Sequence, residues 1–125
     1  MPIKLYNALS RKKENFKPGK GKTVSFYACG PTVYGQVHIG NLRTFIFEDL
    51  LRRTLELSGF KVKQVMNITD VDDKTIRGAK NSNKSLKEFT SLYEKEFLKD
   101  AGALNIKSAW KYPRATDHIK EMLKL

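Results

Sequence analysis

The sequence predicts an α/β fold, a parallel sheet joined by crossover helices, and three observations carry that prediction. Thr23 to Ala28 (TVSFYA) is a run of β-branched and aromatic residues ending at the breaker pair Gly30-Pro31, and it reads as a buried strand. Asn41 to Ser58 follows with closely spaced apolar residues and a stop at Gly59, which reads as a helix. Lys61 to Ile68 (KVKQVMNI) then reads as a second strand. Strand, glycine-rich turn, helix and strand make a βαβ unit, for which a right-handed crossover to a parallel neighbour is expected.

The flanking elements are simpler. Ile3 to Tyr6 reads as a short strand. From Asn7 to Lys22 runs a polar connector with Lys12, Lys13, Lys17, Lys20 and Lys22 beside Pro18, Gly19 and Gly21, expected to be an exposed, turn-rich loop. Within the first helix a wheel places Glu48, Asp49, Arg52 and Glu56 on one side. Leu42, Ile46, Phe47, Leu50, Leu51, Leu55 and Leu57 cover most of the rest, an arc wide enough for a sheet and a second neighbour. After Asp73 the pattern turns helical. Ser85-Leu-Lys-Glu88 has the form of a capping box opening a helix through about Ala101. Trp110 to Pro113 interrupts, and Thr116 is expected to cap a last helix with Ile119, Met122, Leu123 and Leu125 apolar. The expected organisation is therefore 1–22, strand and basic connector; 23–73, the βαβ unit; and 74–125, a helical segment. An apolar stripe that stops mid-pattern gives the expectation of one part of a larger, truncated domain.

Composition bounds the function classes. Lys and Arg number 24 against 13 Asp and Glu, a formal +11, so polyanions such as nucleic acid or nucleotide phosphate are natural partners. A merely solubilising surface explains the same charge, and salt-dependent RNA binding would separate the two. The single cysteine, Cys29, excludes an intramolecular disulfide scaffold. No apolar run follows the basic N-terminus as in a secretory signal, and none approaches the roughly 20 residues of a bilayer span. A reducing cytoplasm and no membrane partner are the expectation.

In an open parallel sheet the ligand cleft lies at the carboxyl ends of the strands, here Cys29 to Thr32 and Asn67 to Asp70. His38-Ile39-Gly40-Asn41 opens the crossover helix. Positions three apart in a first turn share a face, so His38 and Asn41 can address one ligand, and Gly40 lets it approach the backbone. The free N–H groups of the helix start suit a triphosphate. A helix-capping turn with a satisfied histidine fits the same four residues. Asp70, Asp72 and Asp73 fail as a calcium loop, because Lys74 stands where an oxygen ligand is needed; Asp72 or Asp73 instead suits the cap of a helix beginning near Lys74.

Taken together, Tyr27-Ala28-Cys29-Gly30-Pro31-Thr32-Val33-Tyr34, His38-Ile39-Gly40-Asn41, Arg43-Thr44 and Asn67-Ile68-Thr69-Asp70-Val71-Asp72-Asp73-Lys74 resemble the cysteinyl-tRNA synthetase family of class I aminoacyl-tRNA synthetases. HIGN stands where the class has HIGH. The resemblance implies a Rossmann-like sheet of the HIGH-type nucleotidyltransferases. It further implies a cytoplasmic, monomeric parent that activates L-cysteine with ATP and Mg2+ as cysteinyl-adenylate and transfers it to tRNA(Cys). By the same resemblance His38 and Asn41 are catalytic, and His38, Gly40 and Asn41 bind ATP. Gly30, Thr32, Thr44, Asn67 and Thr69 bind substrate, and Cys29 is one ligand of a Zn2+ that takes the substrate thiol. The remaining zinc ligands and the family's second, lysine-rich signature are expected beyond Leu125; Lys84-Ser85 lacks that pattern, and nothing ties His118 to the cleft. Alanine at His38 is expected to depress activity with little effect on folding. An RNA- or ATP-binding module without catalysis, and a cysteine ligase with a small-amine acceptor, are the rival readings.

Overall fold

The computed structural model describes residues 3–19 and 21–125; Met1, Pro2 and Lys20 of the predicted N-terminal region lie outside them. The predicted βαβ unit is present. Strand β3 (Thr23–Ala28) pairs in parallel with β4 (Lys61–Met66), in a register running from Thr23 opposite Lys61 to Ala28 opposite Met66. Between them runs helix α1 (Ile39–Leu57), which ends at Ser58 and Gly59, the latter in the left-handed region at φ +89°. Pairing continues past the strand tips, with Thr32 bridging Thr69 in the same parallel sense.

β3 is not buried on both faces. Val24 and Ala28 point into the core, while Thr23, Ser25 and Tyr27 are exposed on the other side. Both crossover helices supply the covered face. Phe45 of α1 meets Phe97 of α3 (Leu86–Ala103) edge-to-face at 5.0 Å, over a cluster of Ala28, Val33, Met66, Ile68 and Ala101. As expected, Ser85 and Glu88 form the capping box of α3. Asp72 likewise caps α2 (Asp73–Asn81), accepting from the Lys74 N–H at 2.7 Å.

Three expectations are corrected. The basic connector is no simple loop: Lys12–Asn15 forms β2, antiparallel to β1 (Lys4–Asn7), with Arg11 at φ +56° in the turn. Charged strand residues mask the hairpin, because neither of its faces is buried. Phe16 ties it to the body by an edge contact with Phe60 at 5.8 Å. Trp110 to Pro113 does not interrupt a helical region. It runs parallel along the free edge of β4, where Trp110 N–H donates to Gln64 O, Met66 N–H to Lys111 O and Ile68 N–H to Pro113 O at 2.8–3.1 Å. Pro113 uses only its carbonyl there, which an edge position permits. Finally, Thr116 caps no helix. Its N–H and hydroxyl donate to the buried Asp70 carboxylate, and a 3₁₀ turn (Ala115–His118) leads into the short α4 (Ile119–Met122) with Met122 and Leu123 exposed.

The orientation of α1 also departs from the wheel. Its polar ridge clamps the loop before the edge segment. Asp49 is 8% exposed, accepting from Lys107 N–H at 3.0 Å and from Arg53 at 2.5 Å. Arg53 reaches Asn105 O, Arg52 reaches Ser108 O, both at 2.6 Å, and Glu56 binds Arg52 and Lys107. With that ridge committed, Phe47 and Leu50 turn outward, 66% and 59% exposed.

Glu48, on the same helix, has a buried Oε2 without a hydrogen-bond partner, and burial pushes its carboxyl up to about 7 from 4.5. Below about 4.5 the group is protonated in both folded and unfolded chains and carries no penalty. Between about 4.5 and about 7 the unfolded chain releases a proton that the fold retains, so stability falls as pH rises and levels off above that window. At about 1.4 kcal/mol per pH unit the penalty is bounded near 3 kcal/mol, and solvent reaching the side chain brings it to about 1 kcal/mol. Glu48→Gln is therefore expected to be about 1 kcal/mol more stable than the parent at pH 8 and equal to it near pH 4, read by urea denaturation at both pH values.

Candidate active site

Beyond the carboxyl end of β3, a cleft of about 360 Å³ is lined from that strand tip, the following turn, α1 and the start of α2. Cys29, Gly30 and Thr32 come from the end of β3, Tyr34 to Val37 from the turn that follows, Asn41 and Thr44 from α1, and Lys74 from the first turn of α2. Five of the nine predicted site residues, Cys29, Gly30, Thr32, Asn41 and Thr44, thus share one wall-to-wall space.

Asn67 and Thr69 lie beneath it. Gly30 N–H donates to Asn67 Oδ1 at 3.0 Å, and Asn67 Nδ2 donates to Thr69 Oγ1 at 3.0 Å. The backbones approach so closely that a Cβ on Gly30 would sit 1.8 Å from Asn67 O, so no side chain fits there. The two residues support the floor in this geometry and do not line the cleft.

His38 sits at the mouth of α1 as its N-cap. Its Nδ1 accepts from Gly40 N–H at 3.1 Å, and Asn41 Oδ1 accepts from His38 N–H at 3.3 Å, a reciprocal capping box. With Nδ1 acting as acceptor, the proton of the neutral ring resides on Nε2, and the exposed ring keeps that donor free. Gly40 has a local reason for being glycine: a Cβ would lie 2.9 Å from His38 Cε1. Gly40 borders a separate, more open depression with Arg43, Thr44 and Phe47, so Thr44 touches both spaces.

Seven lining residues are not among those the sequence predicts, and two of them, Tyr34 and Lys74, bring a ring face and a charge to the cleft. Lys74 Nζ lies 4.9 Å from the centroid of the Tyr34 ring. A signal existed, since a helix capped by Asp72 necessarily places Lys74 in its first turn, beside the β4 strand end. Cys29 is an exposed free thiol whose nearest polar contact is Gly30 O at 3.9 Å. Among the described residues no group of three or more His, Cys, Asp or Glu is placed to hold a metal ion. Nor is any helix among them long and apolar enough to cross a membrane.

The sequence model of the family described as tRNA synthetases class I (C) catalytic domain matches residues 15–125. The chain belongs to this family. Proteins named cysteine–tRNA ligase share 54% identity with it over 125 residues in Protochlamydia amoebophila, 56% over 123 in Methanosarcina mazei and 54% over 122 in Koribacter versatilis. Each alignment covers 98–100% of this chain, which spans about a quarter, 25–26%, of the length of those relatives. The α/β fold and the parallel βαβ unit are those of a class I synthetase catalytic domain.

For this synthetase domain the capping box changes what substitution at His38 does. An N-cap replaced by alanine typically loses about 1 kcal/mol. His38→Ala is therefore expected to destabilise the fold by about that amount, where the sequence alone gives the expectation of little effect on folding, whereas His38→Asn, an effective N-cap, is expected to retain most of it. Denaturant midpoints of the two variants against the parent check this. Equal midpoints for His38→Ala and the parent would remove the capping role.

Proposed function

We propose that this chain is the part of a cysteine–tRNA ligase that receives cysteine and ATP. Cysteine and ATP give cysteinyl-adenylate and pyrophosphate, and the cysteinyl group then passes to the terminal adenosine of tRNA(Cys). The observation that carries the reading is one cleft, beyond the carboxyl end of β3, holding a free thiol, two threonines and the Asn41 amide. It stands in a chain 54–56% identical to proteins named cysteine–tRNA ligase. The proposed setting is a monomer in the cytoplasm, with ATP entering as its Mg2+ complex.

The adenylate step is an in-line displacement at the α-phosphorus, and it asks for positioning and for donors aimed at oxyanion charge. His38 Nε2–H, held in place by the bond at Nδ1, is assigned to the ATP phosphates. Asn41 Oδ1 is committed to the cap, which leaves its amide N–H groups as the donors toward the cleft that Asn41 lines. Gly40 is assigned to the adenosine, whose flat face a missing Cβ would admit. Thr32 and Thr44 offer hydroxyls to the aminoacyl and phosphate groups, while Asn67 and Thr69 set the spacing between strand tips from below.

Cys29 fits zinc as one soft donor, open to the cleft, and the described residues supply no complete ligand set around it. Zinc, when bound, would hold a substrate thiol as thiolate and so favour sulfur over the hydroxyl of serine. The other donors are proposed to lie beyond Leu125. The isolated 125-residue protein is accordingly expected to emerge from gel filtration without stoichiometric zinc, measured by elemental analysis. In the full-length polypeptide, zinc is expected at one per chain and to fall severalfold in Cys29→Ala.

Exchange of pyrophosphate into ATP by the full-length polypeptide tests the reaction. It is expected to depend on cysteine and to be at least a hundredfold weaker with serine. Exchange that is absent, or equal with serine, refutes the cysteine assignment.

A further inference from the structure

We infer that Lys74 is a substrate-binding residue of this cleft, its ammonium pairing with an oxyanion of the reacting pair. The inference deepens the reading above and rests on it. Among the described residues whose side chains line the cleft, Lys74 alone carries a formal charge when Cys29 is a neutral thiol. The remainder are small, hydroxyl, amide, aromatic or aliphatic. A cleft with one cation and no carboxylate in its wall attracts anions and does not neutralise that cation from within.

The ammonium is also available. Lys74 is flanked by Asp72 and Asp73, yet among the described residues no carboxylate lies within ion-pair distance of its Nζ. The reason is local. Asp72 spends its carboxylate on the start of α2, accepting from the Lys74 backbone N–H at 2.7 Å, which draws it toward the main chain. What the side chain does contact is the Tyr34 ring, with Nζ 4.9 Å from the centroid. A ring face steers an ammonium without consuming its hydrogen-bond donors as a carboxylate would. Tyr34 thus acts as a positioning residue for a cation whose donors remain free.

Placement narrows the partner. Asn41 and Thr44 approach the cleft from α1, and Lys74 approaches it from α2, which follows the β4 strand end. An anion in this cleft would have neutral donors from α1 and a full charge from α2 within the same lining. Both substrates of the proposed reaction bring such a group, the carboxylate of cysteine and the phosphates of ATP. The shared chemistry is an oxyanion, and truncated ligands tell its two sources apart.

The experiment uses the full-length polypeptide, its Lys74→Met and Lys74→Arg variants, and calorimetric titration with L-cysteine, cysteinamide, ATP and adenosine. Lys74 is exposed, so both variants are expected to keep the parent's thermal midpoint. If the oxyanion is the carboxylate, Lys74→Met loses affinity for L-cysteine by roughly tenfold or more and is unchanged toward cysteinamide. If it is phosphate, the loss of that size falls on ATP and spares adenosine. In either case Lys74→Arg recovers most of the loss, and Tyr34→Leu shows a smaller loss toward the same ligand. Unchanged affinity of Lys74→Met for both L-cysteine and ATP overturns the inference while leaving the ligase reading intact. A parent without cysteine-dependent exchange overturns that reading, and this inference with it.

Discussion

Everything at the site depends on how closely the ends of β3 and β4 approach at Gly30 and Asn67. The carbonyl of Asn67 occupies the position a side chain at Gly30 would need, and Met66 Cγ stands 2.8 Å from that same position. This closeness lets the sheet ladder continue where both chains have left regular strand geometry. Thr69 N–H reaches Pro31 O at 3.0 Å, Val33 N–H reaches Thr69 O at 3.2 Å, and the Asn67 side chain satisfies the Gly30 N–H. Backbone groups at a strand end over a buried core would otherwise lack partners, and directly below are Ile68 and Val33, essentially inaccessible to solvent. The seam therefore does two things at once. It closes the core, and it fixes Cys29 and Thr32 on a rigid ledge facing α1.

A second constraint works from the far end of the same helix. The 105–108 loop must return the chain from α3 to the edge of β4, and it does so by bonding to the polar ridge of α1. Asp49 takes one backbone N–H of that loop, Arg52 and Arg53 take three of its carbonyls, and Glu56 gathers Arg52 and Lys107. An ionised Asp49 at such burial is tolerable because both its oxygens receive donors. Glu48, one residue earlier, shows the contrast: equally helical and partly covered, it has no partner for Oε2, and its carboxyl is held in the neutral form to higher pH.

These two constraints separate what was legible in the sequence from what was not. β3, α1, β4 and the caps at Asp72 and Ser85 were legible because each is decided locally, by side-chain shape or by a hydroxyl or carboxylate within three residues of the N–H it accepts. The edge segment at Trp110 was not, since its pairing with β4 crosses more than 40 residues and leaves no local period. Amphipathic reasoning also misplaced the ridge of α1. A helical wheel assigns charge to solvent, but Asp49 and its arginines face protein, because a loop offering bare backbone groups is a better partner for charge than for leucine. The hairpin escaped for the opposite reason, having no buried face to leave a pattern. At the site, the strand-tip and helix-start residues were legible by position, whereas Tyr34 and Lys74 become neighbours only once α2 is docked.

The His38-x-Gly40-Asn41 turn shows why a structural and a functional reading of one motif need not compete. A helix start needs an acceptor for its first N–H groups, and serine, threonine or aspartate would provide one. Each of those caps with the same end of the side chain that a ligand would need. Imidazole is different: two nitrogens on opposite sides of a rigid ring allow one to accept from Gly40 while the other, protonated as a consequence, donates outward. Capping then does not use up the donor; it sets its tautomer and restrains its direction. That arrangement requires the ring to fold back over the second helical position, which is where a Cβ would collide with it, so glycine at position 40 follows from histidine at position 38. Asparagine at position 41 repeats the logic with its own two ends, the oxygen closing the box and the nitrogen left for the cleft. Four consecutive residues thus build a helix terminus whose stability and whose outward donors come from the same geometry.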